Sequence, residues 1–303
     1  MAPARKSHAD GRTVLSRTDV VDLAAMIEIR PMAAADVPLG LRLCRQAGWN
    51  QIESDWRRFL SMQPQGCFVA EMDSVPVATT VTCLFGPVAW IAMVLVEVTA
   101  RRQGVATSLL KHALEFLDSQ GVESVRLDAT AAGQPVYEKL GFGPEYRLTR
   151  CEGTAPPAST PSLTIAATTS LLSQIVGFDR RVTGTHREKM LVQLFEESPG
   201  DMRVLCREGQ LEGFVTVRRG ANATQIGPCI ATRDAGPLLL SDAFARWSGR
   251  RVFIDIPRDN PGAMRLVETI GLTTQRHFMR MCRGRRITDD PQAIWASSGP
   301  EKG

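Results

Sequence analysis

The residues of this chain best placed to do chemistry are consecutive: Arg101, Arg102, Gln103, Gly104, Val105, Ala106 and Thr107. They follow an apolar run ending Val94-Leu95-Val96 and precede SLLKHALEFL, so the pattern predicts a strand, a short basic loop and a helix. N–H groups at a helix N-terminus lack partners within the helix, and the positive end of the helix dipole stands behind them. Together they bind phosphate without needing any particular side chain. Gly104 permits a positive φ and a close approach of ligand to backbone, Ala106 keeps its position small, and the arginines add charge at the rim. The chemistry implied is anion binding. Other phosphate loops do not fit: GxxxxGK[ST] is absent, and Gly141-Phe142-Gly143 lacks the third glycine of a dinucleotide fingerprint.

Alternating strand and helix patterns surround this loop. IEIRP reads as a strand, AADVPLGLRLCRQAG as a helix, and WNQIESDWRRFLSM as a tryptophan-bearing loop and helix. FVAEMD and PVATTVTCLF form a hairpin, AWIAMVLVEV is the strand before the loop, and SVRLDAT and PVYEKLG follow as strand and helix. The stretch EGTAPPASTPS, rich in Pro, Ser, Thr and Ala, reads as a linker. Beyond it the theme repeats: MRVLCREGQLEGFVTVRRG as a hairpin, TQIGPCIAT as a strand, PLLLSDAFARW as a helix, RRVFIDIP as a strand and NPGAMRLVETIGL as a helix. TRDAGPLLL stands where the first half has its basic glycine loop, so the anion should bind the first half alone. The expected division is a disordered tail over 1–26, a domain over 27–150, a linker over 151–163, a second domain over 164–285 and a tail over 286–303.

Composition narrows the classes. The chain has 303 residues, room for two cores, and a formal charge of +4 that makes no demand for nucleic acid. Seven cysteines lie singly without CxxC, which suits a reducing, cytoplasmic setting, and four scattered histidines argue against a metal site. Residues 74–96 carry no charge, yet Pro76, Thr79, Thr80, Thr82 and Gly86-Pro87 punctuate them as strands, so no membrane span is expected. The paired arginines Arg218-Arg219 and Arg250-Arg251 read as solvated faces.

The Arg-x-x-Gly-x-Ala loop after an apolar strand, with PVYEKLGF downstream, resembles the GNAT superfamily of N-acyltransferases from about residue 27 to 150, most strongly over 94–142. The second half looks like the acetyltransferase-like domain appended to some of its members. The resemblance implies a mixed α/β fold in tandem, each copy a mostly antiparallel sheet flanked by helices. It implies that acetyl-CoA is bound by Val94 to Val96 along its pantetheine arm and by Arg101 to Thr107 at its pyrophosphate, without a metal. A backbone N–H of that strand would face the thioester carbonyl. Tyr137 falls where many members carry the tyrosine that protonates the departing thiolate. Its ordinary pKa of ~10, above the ~8.5 of a thiol, keeps it protonated at neutral pH.

The acceptor is expected to be a primary amine, on a small molecule or a protein, attacking directly in a ternary complex. Candidate bases are Glu97, the favourite, with Glu71 and Asp128; Trp90 stands where several members hold one. Trp49 and Trp56 could wall the acceptor pocket, with Asn50 as a polar anchor, and Asp179, Arg180 or His186 could close its far side. In the second half Val267 stands at the position of Tyr137, against a second active centre. A non-catalytic acyl-CoA sensor and a protein lysine or N-terminal acetyltransferase remain open. A monomer or a homodimer would serve equally.

Overall fold

Two residues with positive φ, Asp73 at 50° and Ser74 at 62°, reverse the chain between apolar runs, the geometry that the twist of a tight hairpin demands. Around that turn a computed structural model describes residues 27–157 and 162–303. The tail expected over 1–26 and residues 158–161 of the expected linker lie outside the described residues. The first half runs β1 (Ile27–Pro31), α1 (Val37–Ala47), α2 (Glu53–Met62), β2 (Cys67–Met72), β3 (Val75–Phe85), β4 (Val88–Val96), α3 (Val105–Ser119), β5 (Ser124–Ala129), α4 (Gln134–Glu138) and β6 (Gly143–Thr154). The second repeats that order with β7 (Ile165–Ala166), α5 (Leu172–Thr183), α6 (Glu188–Glu197), β8 (Arg203–Arg207), β9 (Gln210–Arg218), β10 (Thr224–Ala231), α7 (Ala235–Arg246), β11 (Arg251–Pro257), α8 (Pro261–Thr269) and β12 (Thr273–Gly284). A last strand, β13 (Ile294–Ala296), follows.

The two halves share one sheet, ordered β1-β2-β3-β4-β5-β12-β6-β11-β10-β9-β8-β7. They exchange their last long strands: β12 lies antiparallel between β5 and β6, and β6 pairs with β11. Helices α3 and α7 cover separate cores, one built on Leu109, Leu110 and Leu117 and the other on Leu239, Leu240 and Phe244. The remaining core is common to both halves, since Leu43, Trp56 and Phe59 share it with Ile175, Leu191 and Phe214. Burial of apolar surface therefore welds the halves together instead of stabilising each alone.

Two expectations are corrected. Residues 151–154, expected in the linker, continue β6, because Cys151 pairs with Ile254 and Thr154 with Arg251. Residues 286–303, expected as a tail, contribute β13, and residues 294–299 and 301–303 are buried. The uncharged stretch at residues 74–96 forms β3 and β4. Among the described residues no helix is long and apolar enough to cross a membrane.

Candidate active site

The basic loop folds as its sequence predicts. Arg102 (φ 64°) and Gly104 (φ 83°) both take the left-handed conformation, and α3 begins at Val105. Arg101 Nε donates to Val96 O at 3.0 Å and Gln103 Nε2 to Thr99 O at 2.9 Å, so these side chains brace the loop, and residues 101–104 are exposed. A Cβ at Gly104 would meet nothing within 4 Å, so glycine is there for its backbone angle and for the open space above it.

Beside the loop, β4 and β5 come apart. They are parallel partners only from Val88 to Trp90, opposite Ser124 to Arg126. Beyond that point β4 bulges: Thr79 faces Leu95 and Val81 faces Ala92, which leaves Met93 and Val94 opposite Thr80 alone. Met93 has φ 53°, and Thr79 Oγ1 fixes the bulge by donating to Met93 O at 2.9 Å.

A cleft opens at this split. Ile91, Ala92, Met93 and Val94 form one wall, and Leu127, Asp128, Thr130 and Tyr137 another. The second half adds Arg276 and Phe278 from β12 with Pro300 and Glu301, and Trp49 and Gln51 stand at the end of α1. Tyr137 packs edge-on to Phe142 with centroids 5.9 Å apart, and burial pushes its phenol up to about 12. Under the cleft, Asp128 is held by both Nε and Nη2 of Arg280 at 2.9 Å, and Arg280 Nη1 donates to Tyr146 Oη at 2.7 Å. Burial raises the Asp128 pKa against the pull of Arg280.

Comparison with known families decides what this constellation belongs to. A model of the acetyltransferase (GNAT) family matches residues 40–142, and a model described as an acetyltransferase (GNAT) domain matches residues 175–296, together well over half of the chain. The chain belongs to the GNAT acetyltransferase family. It is 28% identical over 228 residues to the uncharacterized N-acetyltransferase YitH of Bacillus subtilis (strain 168), covering 73% of this chain and 78% of that one. In fold it resembles a Pyrococcus horikoshii protein whose name assigns it as an acetyltransferase, with TM-score 0.79, 24% identity and coverage of 95% and 99%. It also resembles a tandem GNAT protein from the clavulanic acid biosynthesis pathway, with TM-score 0.61, 14% identity and coverage of 87% and 100%.

The two GNAT halves treat the same gap differently. In the second, β10 and β11 are parallel partners only from Thr224 to Ile226, and β10 then changes register, as β4 does. There the opening is filled: β13 pairs with β10 at Cys229 and Ile230, and Ser297 N donates to Asp255 O of β11 at 2.8 Å. The buried Trp295 ring lies so close to Gly236 of α7 that a Cβ there would come within 2.0 Å of it. A segment of this chain thus occupies in the second half what stays open in the first.

Not every residue singled out in the sequence reaches the cleft. Trp56 is fully buried in the shared core, so it walls no pocket. Asn50 lies on the cleft, but its amide is committed: Oδ1 accepts from Asn222 N at 2.9 Å and Ala223 N at 3.0 Å, and Nδ2 donates to Ala223 O at 3.0 Å. It ties the α1–α2 loop to the second half. Asp179 is buried against Arg187, with contacts of 2.5 and 3.1 Å, away from the cleft. Glu97 turns toward α1, where hydrogen bonds from Gln46 and Arg42 hold it below the ordinary carboxylate range. Glu71 pairs with Arg30 at 2.7 Å.

Arg218, expected on a solvated face, is buried in an ion network with Asp55 and Glu301. Asp55, Arg58, Glu301 and Lys302 complete that network, and the surrounding cations hold Asp55 far below its usual range. Gln51, Arg150, Arg276, Phe278 and Glu301 are cleft residues that sequence reasoning passed over. Of these, Arg276 and Phe278 left a trace, as residues two apart and so on one face of a strand.

Proposed function

We propose that the first half transfers the acetyl group of acetyl-CoA to a primary amine by direct attack in a ternary complex. The observation that carries this reading is the pairing of an open β4–β5 gap with a left-handed glycine loop and Tyr137, while the corresponding gap of the second half is filled by β13. Acetyl-CoA would supply the activated thioester. The N–H groups of residues 103–107 would hold its pyrophosphate, and the freed backbone at Met93, Val94 and Leu95 would pair with its pantetheine arm and stabilise charge on the carbonyl oxygen. Tyr137 would deliver a proton to the departing sulfur.

An alkylamine has pKa ~10.4, so presenting it unprotonated at pH 7 costs about 4.6 kcal/mol. Both carboxylates are hydrogen-bonded, Asp128 to Arg280 and Glu97 to Gln46 and Arg42. Asp128 lines the cleft and burial raises its pKa, whereas Glu97 turns toward α1 and is held below the ordinary range, so Asp128 is the better placed to take that proton. No cysteine lines the cleft, and burial pushes the Cys83 thiol up to about 12, which favours direct attack over a covalent acyl-enzyme. The second half lines the cleft with Arg276, Phe278, Pro300 and Glu301, and this added wall favours a small amine over a protein side chain.

Calorimetric titration with acetyl-CoA should give one site per chain, and CoA should be released when a suitable amine is supplied. Binding without turnover across a broad amine panel would establish the sensor reading instead. Gly104→Val should weaken acetyl-CoA about tenfold or more, since a β-branched residue in the left-handed region costs about 1–2 kcal/mol and its side chain intrudes above the loop. Unchanged affinity would remove the loop from the site.

A further inference from the structure

Charge bookkeeping in the cleft leaves one group over. Four ionisable side chains other than tyrosine line it: Asp128, Glu301, Arg150 and Arg276. Asp128 is held by Arg280, and Glu301 by Arg218, Lys302 and Gln51. Arg150 binds Asp255 through two contacts of 2.8 Å. Arg276 makes no ion pair or side-chain hydrogen bond with any other described residue, although it is half-buried.

Arg276 lies directly opposite Arg150 across the β6–β12 ladder, and like charges facing each other there are unfavourable. An irregularity at Gln275, between the paired residues Thr274 and Arg276, sets the register that places Arg276 and Phe278 in the cleft. Burial and the neighbouring Arg150 lower the pKa of Arg276 against the weaker pull of the Asp255 and Glu152 carboxylates, and a guanidinium remains charged at any physiological pH. An anion in the cleft would relieve this arrangement, and the planar guanidinium fork suits a carboxylate.

Resting on the acetyltransferase reading above, we infer that the acceptor amine carries a carboxylate, and that Arg276 binds it. The substrate class is then amino acids, with the amine directed to the β4–Tyr137 end of the cleft and the carboxylate to the wall supplied by β12. One unpaired cation matches a monoanion better than a phosphate ester. Trp49, Ile91 and Phe278 leave apolar surface for the carbon skeleton between.

The test is CoA release from acetyl-CoA with glycine, leucine, phenylalanine, β-alanine, 4-aminobutyrate and 6-aminohexanoate, each beside its carboxamide, and with phosphoethanolamine. The wild type should prefer at least one acid over its amide by tenfold or more in kcat/KM. Arg276→Gln should abolish that preference mainly through KM, Arg276→Lys should restore part of it, and acetyl-CoA affinity should not change. Equal use of acids and amides, preference for phosphoethanolamine, or weakened acetyl-CoA binding in Arg276→Gln would each overturn the inference. If no amine is turned over, the acetyltransferase reading fails separately. Melting temperature with CoA and the same amino acids then decides: stabilisation of the wild type that Arg276→Gln loses supports the carboxylate site, and its absence overturns it.

Discussion

Tyr137→Phe is expected to lower kcat by about a hundredfold or more while acetyl-CoA binds as before, because the variant keeps the ring and loses only the proton donor. The ring's contact with Phe142 survives the change, so folding should not suffer. The pH profile separates this role from a packing role. Burial pushes the phenol up to about 12, so in the wild type the proton stays in place as pH rises from 6 to 9. Activity should climb over that range as the acceptor amine loses its proton, with no descending limb from Tyr137 until well above pH 10. The variant should show the same rise on a much lower plateau. If kcat is the same in both proteins throughout, the leaving-group assignment is wrong and Tyr137 is a wall of the cleft only.

Separating the halves should have an even larger effect. A fragment of residues 27–157 retains the loop, the split strands and Tyr137, yet it loses β12, which lies between β5 and β6. Its β5 would present an open edge, the condition for aggregation or strand swapping. Charges buried in the whole chain would lose their partners as well: Asp128 would lose Arg280 and Arg150 would lose Asp255, while Asp55 and Arg58 would keep only each other. Removing one partner of a buried pair costs about 3–5 kcal/mol, a large part of the ~5–15 kcal/mol that holds a domain folded. Light scattering and far-ultraviolet circular dichroism should find the fragment aggregated, unfolded or dimerised, with no CoA release. Co-production with residues 162–303 should restore a folded complex. A monomeric fragment with a cooperative melt would show that the strand exchange is dispensable.

The elements of this protein could be read from its sequence because their causes are local. Asp73 and Ser74 turn a hairpin, apolar alternation makes the flanking strands, and Gly104 bends a loop whose N–H groups need no distant partner. Misreadings arose where one residue type serves two ends. A tryptophan at helical spacing looks the same whether it fills a core, as Trp56 does, or lines a cleft, as Trp49 does. The asparagine beside a pocket is Asn50, and only the position of Ala223 shows that its amide is taken. Glu97 lies on the right strand, but the partners that engage it come from α1.

The sequence by itself determined the family resemblance, the tandem plan and which half carries the basic glycine loop, since these rest on short-range pattern and composition. Tertiary structure alone decided that the halves exchange β6 and β12, because the two strands have similar alternation and nothing in either names its neighbour. It alone decided that residues 294–296 fill the second gap, since three apolar residues beyond the last helix carry no signal of where they will be buried. It also decided which charges remain unpaired. Arg276 stands out only when every other charge in the cleft has met a partner far away in the chain, and that matching is made by long-range packing, not by spacing along the sequence.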